Sequence, residues 1–139
     1  MTEIAPRPVP ATRPLAATVA LWAGQVLFAA LFMFAGLNKL FGLQQEVIDQ
    51  FETIGAGVGF RYSTGALELA GGLGLLVPRL AGPAALGLIG VMAGAVVAHL
   101  TVLPPATLAL APVVLGALLG PIAWGRWPQT KALIAARKR

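Results

Sequence analysis

Apolar and polar residues along this chain separate into long blocks instead of alternating. No charged residue occurs from Leu15 to Leu37. A second apolar stretch, shorter and glycine-rich, runs from about Tyr62 to Val77. A third runs from about Leu80 to Leu103 and a fourth from about Thr107 to Trp124. A hydrocarbon core roughly 30 Å thick takes about 20 apolar residues in helical form. Backbone in lipid must satisfy its own hydrogen bonds, and no stretch shows the period of two expected of a strand. The pattern therefore predicts an all-α membrane protein, a single domain over residues 1–139 built as a four-transmembrane-helix antiparallel bundle. Val77-Pro78-Arg79 and Leu103-Pro104-Pro105-Ala106 leave room only for tight turns, which sets neighbouring helices antiparallel. The first stretch occupies the place of a signal peptide. Its length, and the lack of a small-residue cleavage site before a soluble domain, make it a span.

The connection from Asn38 to Arg61 is longer. Within it Val47, Ile48, Phe51 and Ile54 recur at helical spacing, with Glu46, Asp49, Gln50 and Glu52 on other faces. This predicts a short amphipathic helix lying in the membrane interface. Gly55, Gly57 and Gly59 form a flexible link into the second span; no strand precedes them, so they are not a dinucleotide fingerprint. Gly90, Gly94 and Ala98 on the third span, and Gly116 and Gly120 on the fourth, repeat at a spacing that lets helix backbones approach. The expectation is packing within the bundle, with a homo-oligomer face as the other use. Pro112 predicts a modest kink in the fourth span, and residues 125–139 read as a basic cytoplasmic tail.

Composition agrees with this picture. The chain has 139 residues, 58% hydrophobic and only 11% charged, with a mean hydropathy of +0.82. Soluble domains carry about 25% charged residues, so an ordinary soluble enzyme, a disordered segment and a coiled coil are all excluded. Cysteine is absent, which removes disulfides, thiolate nucleophiles and Fe–S ligands of the chain's own. The net charge of +5 is concentrated at the ends. Arg7, Arg13, Arg79, Arg126, Lys131, Arg137, Lys138 and Arg139 fall on one side of the predicted topology, Lys39 and Arg61 on the other. The positive-inside rule then places both termini in the cytoplasm, with Trp124 and Trp127 at that interface. A tail of this kind anchors to anionic lipid and does not call for nucleic acid.

Glu68 and His99 are the ionisable residues inside the predicted spans. Such groups are costly in lipid and face protein or water. Counting at 1.5 Å per residue puts Glu68 ~10 Å and His99 ~6 Å below the outer boundary. Asn38 and Lys39 close the outer end of the first span, so with Arg61 five polar groups gather in the outer half. Two readings stand. One is a buried structural ion pair that sets helix register, with Lys39 or Arg61 opposite Glu68. The other is a polar pocket in which Glu68 and His99 act as catalytic acid, base or proton relay, while Asn38, Lys39 and Arg61 hold substrate. One histidine and one carboxylate are too few for a metal site. Ser63, His99 and Glu68 do not fit a catalytic triad, because helix periodicity does not put Ser63 beside Glu68. Gln25, midway along the first span, is assigned to a hydrogen bond between helices.

The segment from Phe34 to Gly42, containing Gly36-Leu37-Asn38-Lys39, resembles the end of the first helix in DoxX-like membrane proteins. Gly65-Ala66-Leu67-Glu68-Leu69-Ala70-Gly71-Gly72, followed by Pro78-Arg79, resembles their second helix, and His99 with Met92 and Ala98 their third. The likeness spans roughly residues 15 to 124. It implies a four-helix protein of the bacterial inner membrane, with Lys39, Glu68 and His99 at the family's polar positions. Relatives of this kind include the quinone-reducing subunit of thiosulfate:quinone oxidoreductase. The leading expectation is therefore a quinone-linked oxidoreductase component, with no intrinsic cofactor and a membrane quinone as substrate. Two alternatives remain. One is a cofactor-free isomerase, cyclase or epoxide-opening enzyme acting on a lipophilic molecule through Glu68. The other is a non-catalytic scaffold or accessory with a partner subunit or a second copy. Membrane lipid and a lipophilic small molecule are the expected contacts.

Overall fold

In the computed structural model, which describes residues 12–138, every regular element is helical. α1 spans Leu15–Phe41, α2 Gln45–Ile54, α3 Val58–Leu75, α4 Ala81–Thr101 and α5 Leu110–Arg137, with a single 3-10 turn over Ala106–Ala109 leading into α5. Three of these, α1, α4 and the run Ala106–Arg137, are long and apolar enough to cross a membrane. α3 is an 18-residue helix whose apolar character is diluted by Arg61, Ser63, Thr64, Glu68 and five glycines.

The helix ends follow from local chemistry. α1 stops at Gly42, whose left-handed φ of 62° suits a residue without a Cβ; its N–H returns to the Asn38 carbonyl at 2.8 Å. α2 stops at Gly55 in the same way, with φ 72°. α2 is the expected amphipathic helix, and none of its residues is fully buried. Its Phe51 ring meets Phe60 of α3 with centroids 5.7 Å apart.

Close approaches show how the long helices run. A Cβ at Gly36 of α1 would lie 2.6 Å from the Gly65 carbonyl of α3, and one at Gly72 of α3 would lie 2.8 Å from Met33 Cγ of α1. The pairing runs backward along one helix as it runs forward along the other, so α1 and α3 are antiparallel. Gly71 against Leu88 and Gly74 against Ala84 set α3 antiparallel to α4. Gly82 against Thr130 and Gly116 against Met92 do the same for α4 and α5, and Gly24 against Ile122 with Gly125 against Leu21 for α1 and α5. Phe28, Phe32, Leu75, Leu88, Met92, Leu119 and Ile122 fill the centre. Leu27, Phe34, Leu67, Val97, Leu110 and Trp124 point outward and are exposed. A large apolar surface on a chain this poor in charge suits lipid contact.

Three expectations need correcting. First, Gly90, Gly94 and Gly120 meet no atom within 4 Å of where a Cβ would stand. Of the predicted glycines only Gly116 packs against another helix. The close contacts fall on Gly36, Gly65, Gly71, Gly72, Gly74, Gly82 and Gly125. Second, Pro112 lies in the first turn of α5, where a missing N–H breaks no helical bond. The prolines inside the helix are Pro121 and Pro128. Third, the last helix does not end near Trp124. It continues to Arg137, and Arg126 and Thr130 are buried against the other helices. Arg7 and Arg139, counted in the charge asymmetry, lie outside the described residues.

Candidate functional site

The Gly36–Gly65 contact determines what happens one turn further along. It brings α1 and α3 to backbone contact, so the Lys39 side chain, rooted beside Gly65, reaches α3 directly. Lys39 Nζ lies 2.7 Å from Glu68 Oε2. Glu68 is only 3% exposed. The contact is an ion pair first, since Oε2 gains no well-directed hydrogen bond among the described residues. Glu68 thus keeps acceptor capacity for a further donor.

A cavity of about 760 Å³ opens beside this pair. Lys39, Glu68 and His99 share its lining, so three of the five predicted site residues come together, from α1, α3 and α4. His99 Nδ1 is buried and has no partner among the described residues. No hydrogen bond joins His99 to Glu68; the two face a common space. Phe32, Phe60, Met92 and Leu115 supply apolar wall, and Phe51 and Ile54 of α2 contribute from the connection. Gly87, Gly90 and Gly94 leave the backbone of α4 as one side. At each of the three, no atom of the described residues lies within 4 Å of where a Cβ would stand, so the stripe borders the cavity instead of packing a helix. A few converging polar groups in a mostly apolar hollow describe a small-molecule site.

Asn38 and Arg61 are placed differently. Asn38 Oδ1 accepts from the Gln44 backbone N–H at 3.0 Å, and its Nδ2 donates to the Gln44 side-chain oxygen. It clamps the turn between α1 and α2. Arg61 is buried and donates through Nη1 to the Lys39 carbonyl, one of the orphan acceptors at the end of α1. Its guanidinium also lies 4.8 Å from the Tyr62 ring centroid. Neither residue lines the larger cavity; Arg61 borders a smaller one of about 380 Å³ between α2 and α3. Both position Lys39 and the cover formed by α2. Asn38→Ala is accordingly expected to cost about 1–2 kcal/mol, the range for losing a helix-end side-chain bond. Thermal unfolding of the purified variant would measure it. An unchanged melting temperature would show that the clamp contributes nothing.

The opposite end holds a polar group that the sequence reading missed. Gln25 donates to the Leu75 carbonyl of α3 and accepts from Arg126 Nε of α5 at 2.6 Å. Gln25 thus forms the predicted bond between helices. Its partner Arg126 read as tail because the apolar run ends at Trp124. The sequence signal available was the presence of a single mid-span glutamine that needed an acceptor and a donor.

The sequence pattern of the DoxX-like family matches residues 23–122. That stretch begins ahead of Gln25 and includes Lys39, Glu68 and His99. No curated protein and no solved structure matches the chain.

Proposed function

The chain belongs to the DoxX-like family, and from that membership we propose that it is a four-span protein of the bacterial inner membrane that binds the head group of a membrane quinone as a component of an oxidoreductase. α3 serves as the fourth span: 18 residues at 1.5 Å give about 27 Å, close to the hydrocarbon thickness. Both termini face the cytoplasm and the cavity lies in the outer half, because the basic residues concentrate at the end away from Lys39.

The cavity carries this reading. It combines apolar walls with a cation, a carboxylate and an imidazole whose Nδ1 has no partner among the described residues. A quinone has that character, with two carbonyl oxygens on a ring and an apolar tail. In this arrangement Lys39 Nζ holds one ring oxygen, and the Glu68 carboxylate and the His99 imidazole each take up a proton from the outer aqueous side and pass it to a ring oxygen, two protons for two electrons. The electrons come from a donor molecule or a partner subunit. The tail runs along the wall at Gly87, Gly90 and Gly94, where missing side chains leave room.

Gentle solubilisation followed by native mass spectrometry and extraction tests the proposal. The expected result is a quinone retained by the wild type and lost in both Glu68→Gln and His99→Ala. A wild type that retains no lipophile, or variants that retain it equally, would overturn the site. The alternative of a non-catalytic accessory draws on one observation, the α4 glycine stripe beside which no described residue comes within 4 Å of a Cβ position, which could also receive a helix of another chain. A bound polypeptide in place of a small molecule in the same spectra would favour it.

A further inference from the structure

Arg126 stands at the end of the molecule away from the cavity and plays no part in the function proposed above. It is 6% exposed. Its Nε donates to Gln25, and its guanidinium lies 5.0 Å from the Trp22 ring centroid. Nη2 is buried and meets no acceptor among the described residues. Arg13, exposed just ahead of α1, adds positive charge at the same end of the helices. The described acidic residues are Glu46, Asp49 and Glu52 on α2 and Glu68 midway along α3, none of them partnered with Arg126. The ion pair among the described residues uses Glu68 and Lys39. A buried guanidinium therefore has no counter-anion among the described residues. An unpaired buried charge is strongly unfavourable.

Position specifies the missing group further. Trp124 is 86% exposed and Trp127 40% exposed, on either side of Arg126 in the sequence. Outward tryptophans mark the headgroup level of a membrane. Arg126 is thus placed at the depth of the phospholipid phosphates. The guanidinium fork matches phosphate oxygens with directed, charge-assisted hydrogen bonds.

We propose that Arg126, with Arg13 as a second basic group at the same end of the helices, forms a seat for a phosphate group. The headgroup of an anionic phospholipid and free phosphate both carry that chemistry, and the depth of the tryptophans favours the lipid. Gln25 links the seat to the α3 carbonyl of Leu75, so the bound anion braces α1, α3 and α5 together. The inference does not depend on what occupies the cavity.

The test uses the full chain, purified in detergent and stripped of lipid. Phosphatidylglycerol, phosphatidylcholine and inorganic phosphate are added separately. Native mass spectrometry reads adducts and thermal unfolding reads stabilisation. Phosphatidylglycerol is expected to stay bound under activation that removes phosphatidylcholine and to raise the melting temperature. Arg13→Gln, an exposed change that leaves the fold intact, is expected to weaken this binding about fivefold, the effect of one basic residue near a lipid surface. Arg126→Lys keeps the charge, removes the fork and should weaken it further. If inorganic phosphate stabilises through the same two arginines and phosphatidylglycerol does no better than phosphatidylcholine, the seat stands and its ligand is free phosphate. If both variants bind both anions as the wild type does, there is no such seat.

Discussion

Replacing Lys39 with methionine is expected to destabilise the protein by about 3–5 kcal/mol, the cost of stranding one member of a buried ion pair. Glu68 is almost wholly enclosed, and the ammonium 2.7 Å away is the cation paired with it among the described residues. Arg61 cannot replace it, because its guanidinium is committed to the Lys39 carbonyl. Denaturant titration of the detergent-solubilised variant measures the loss. A second substitution separates charge from packing. Lys39→Met combined with Glu68→Met removes both charges at similar volume, and such replacements are often neutral. The double variant should therefore return to within about 1 kcal/mol of the wild type, while retaining no lipophile. If Lys39→Met alone left stability unchanged, Glu68 would have to be solvated through the cavity, and the pair would have no role in holding α1 to α3.

Gly36→Leu is expected to prevent α1 and α3 from docking, at a cost above about 3 kcal/mol. Its Cβ would lie 2.6 Å from the Gly65 carbonyl and 2.7 Å from the Leu69 backbone nitrogen. Both obstacles are helix backbone, which cannot rotate away as a side chain can. Gly36→Ala meets the same atoms but gains helix propensity of about 1 kcal/mol, so its net loss should be smaller, about 1–2 kcal/mol. Gly120→Leu is the control, since nothing lies within 4 Å of its Cβ position. It should stay within about 0.5 kcal/mol of the wild type. Thermal unfolding ranks the three. The Gly36 variants should also lose retained lipophile, because separating the backbones withdraws Lys39 from Glu68. Equal stability in Gly36→Leu and Gly120→Leu would show that the α1–α3 contact is not the constraint inferred here.

Much of the candidate site is legible in the sequence. Glu68 and His99 are isolated ionisable residues in apolar stretches, and counting residues from the nearest boundary puts both toward one end. The structure brings them to one cavity with Lys39. Asn38 and Arg61 share that end of the chain's pattern, yet they close helix ends beside the cavity instead of lining it. Residue counting gives depth along a helix axis. It says little about which way a side chain turns around that axis relative to a neighbouring helix.

The glycines illustrate the same limit. Gly90, Gly94 and Ala98 have the spacing of a packing stripe on one helix face, and so do Gly65 and Gly72, seven apart on α3. Spacing alone did not distinguish a stripe that meets a helix from one that faces a hollow. The C-terminal helix shows another aspect. Arg126 and Pro128 interrupt the apolar run, so a local reading ends the span at Trp124. The helix nevertheless continues to Arg137, and Gln25, 101 positions before Arg126, receives its Nε–H.

The length and spacing of the apolar blocks, the amphipathic helix between the first two, the separation of charge and the short list of polar groups follow from sequence alone. All of these are properties of neighbouring residues measured against a fixed thickness of hydrocarbon. The pairing of Lys39 with Glu68, the hollow beside His99 and the burial of Arg126 follow from tertiary structure. Each depends on the register and rotation of one helix against another, and backbone contacts such as Gly36 against Gly65 set those between residues distant in the chain.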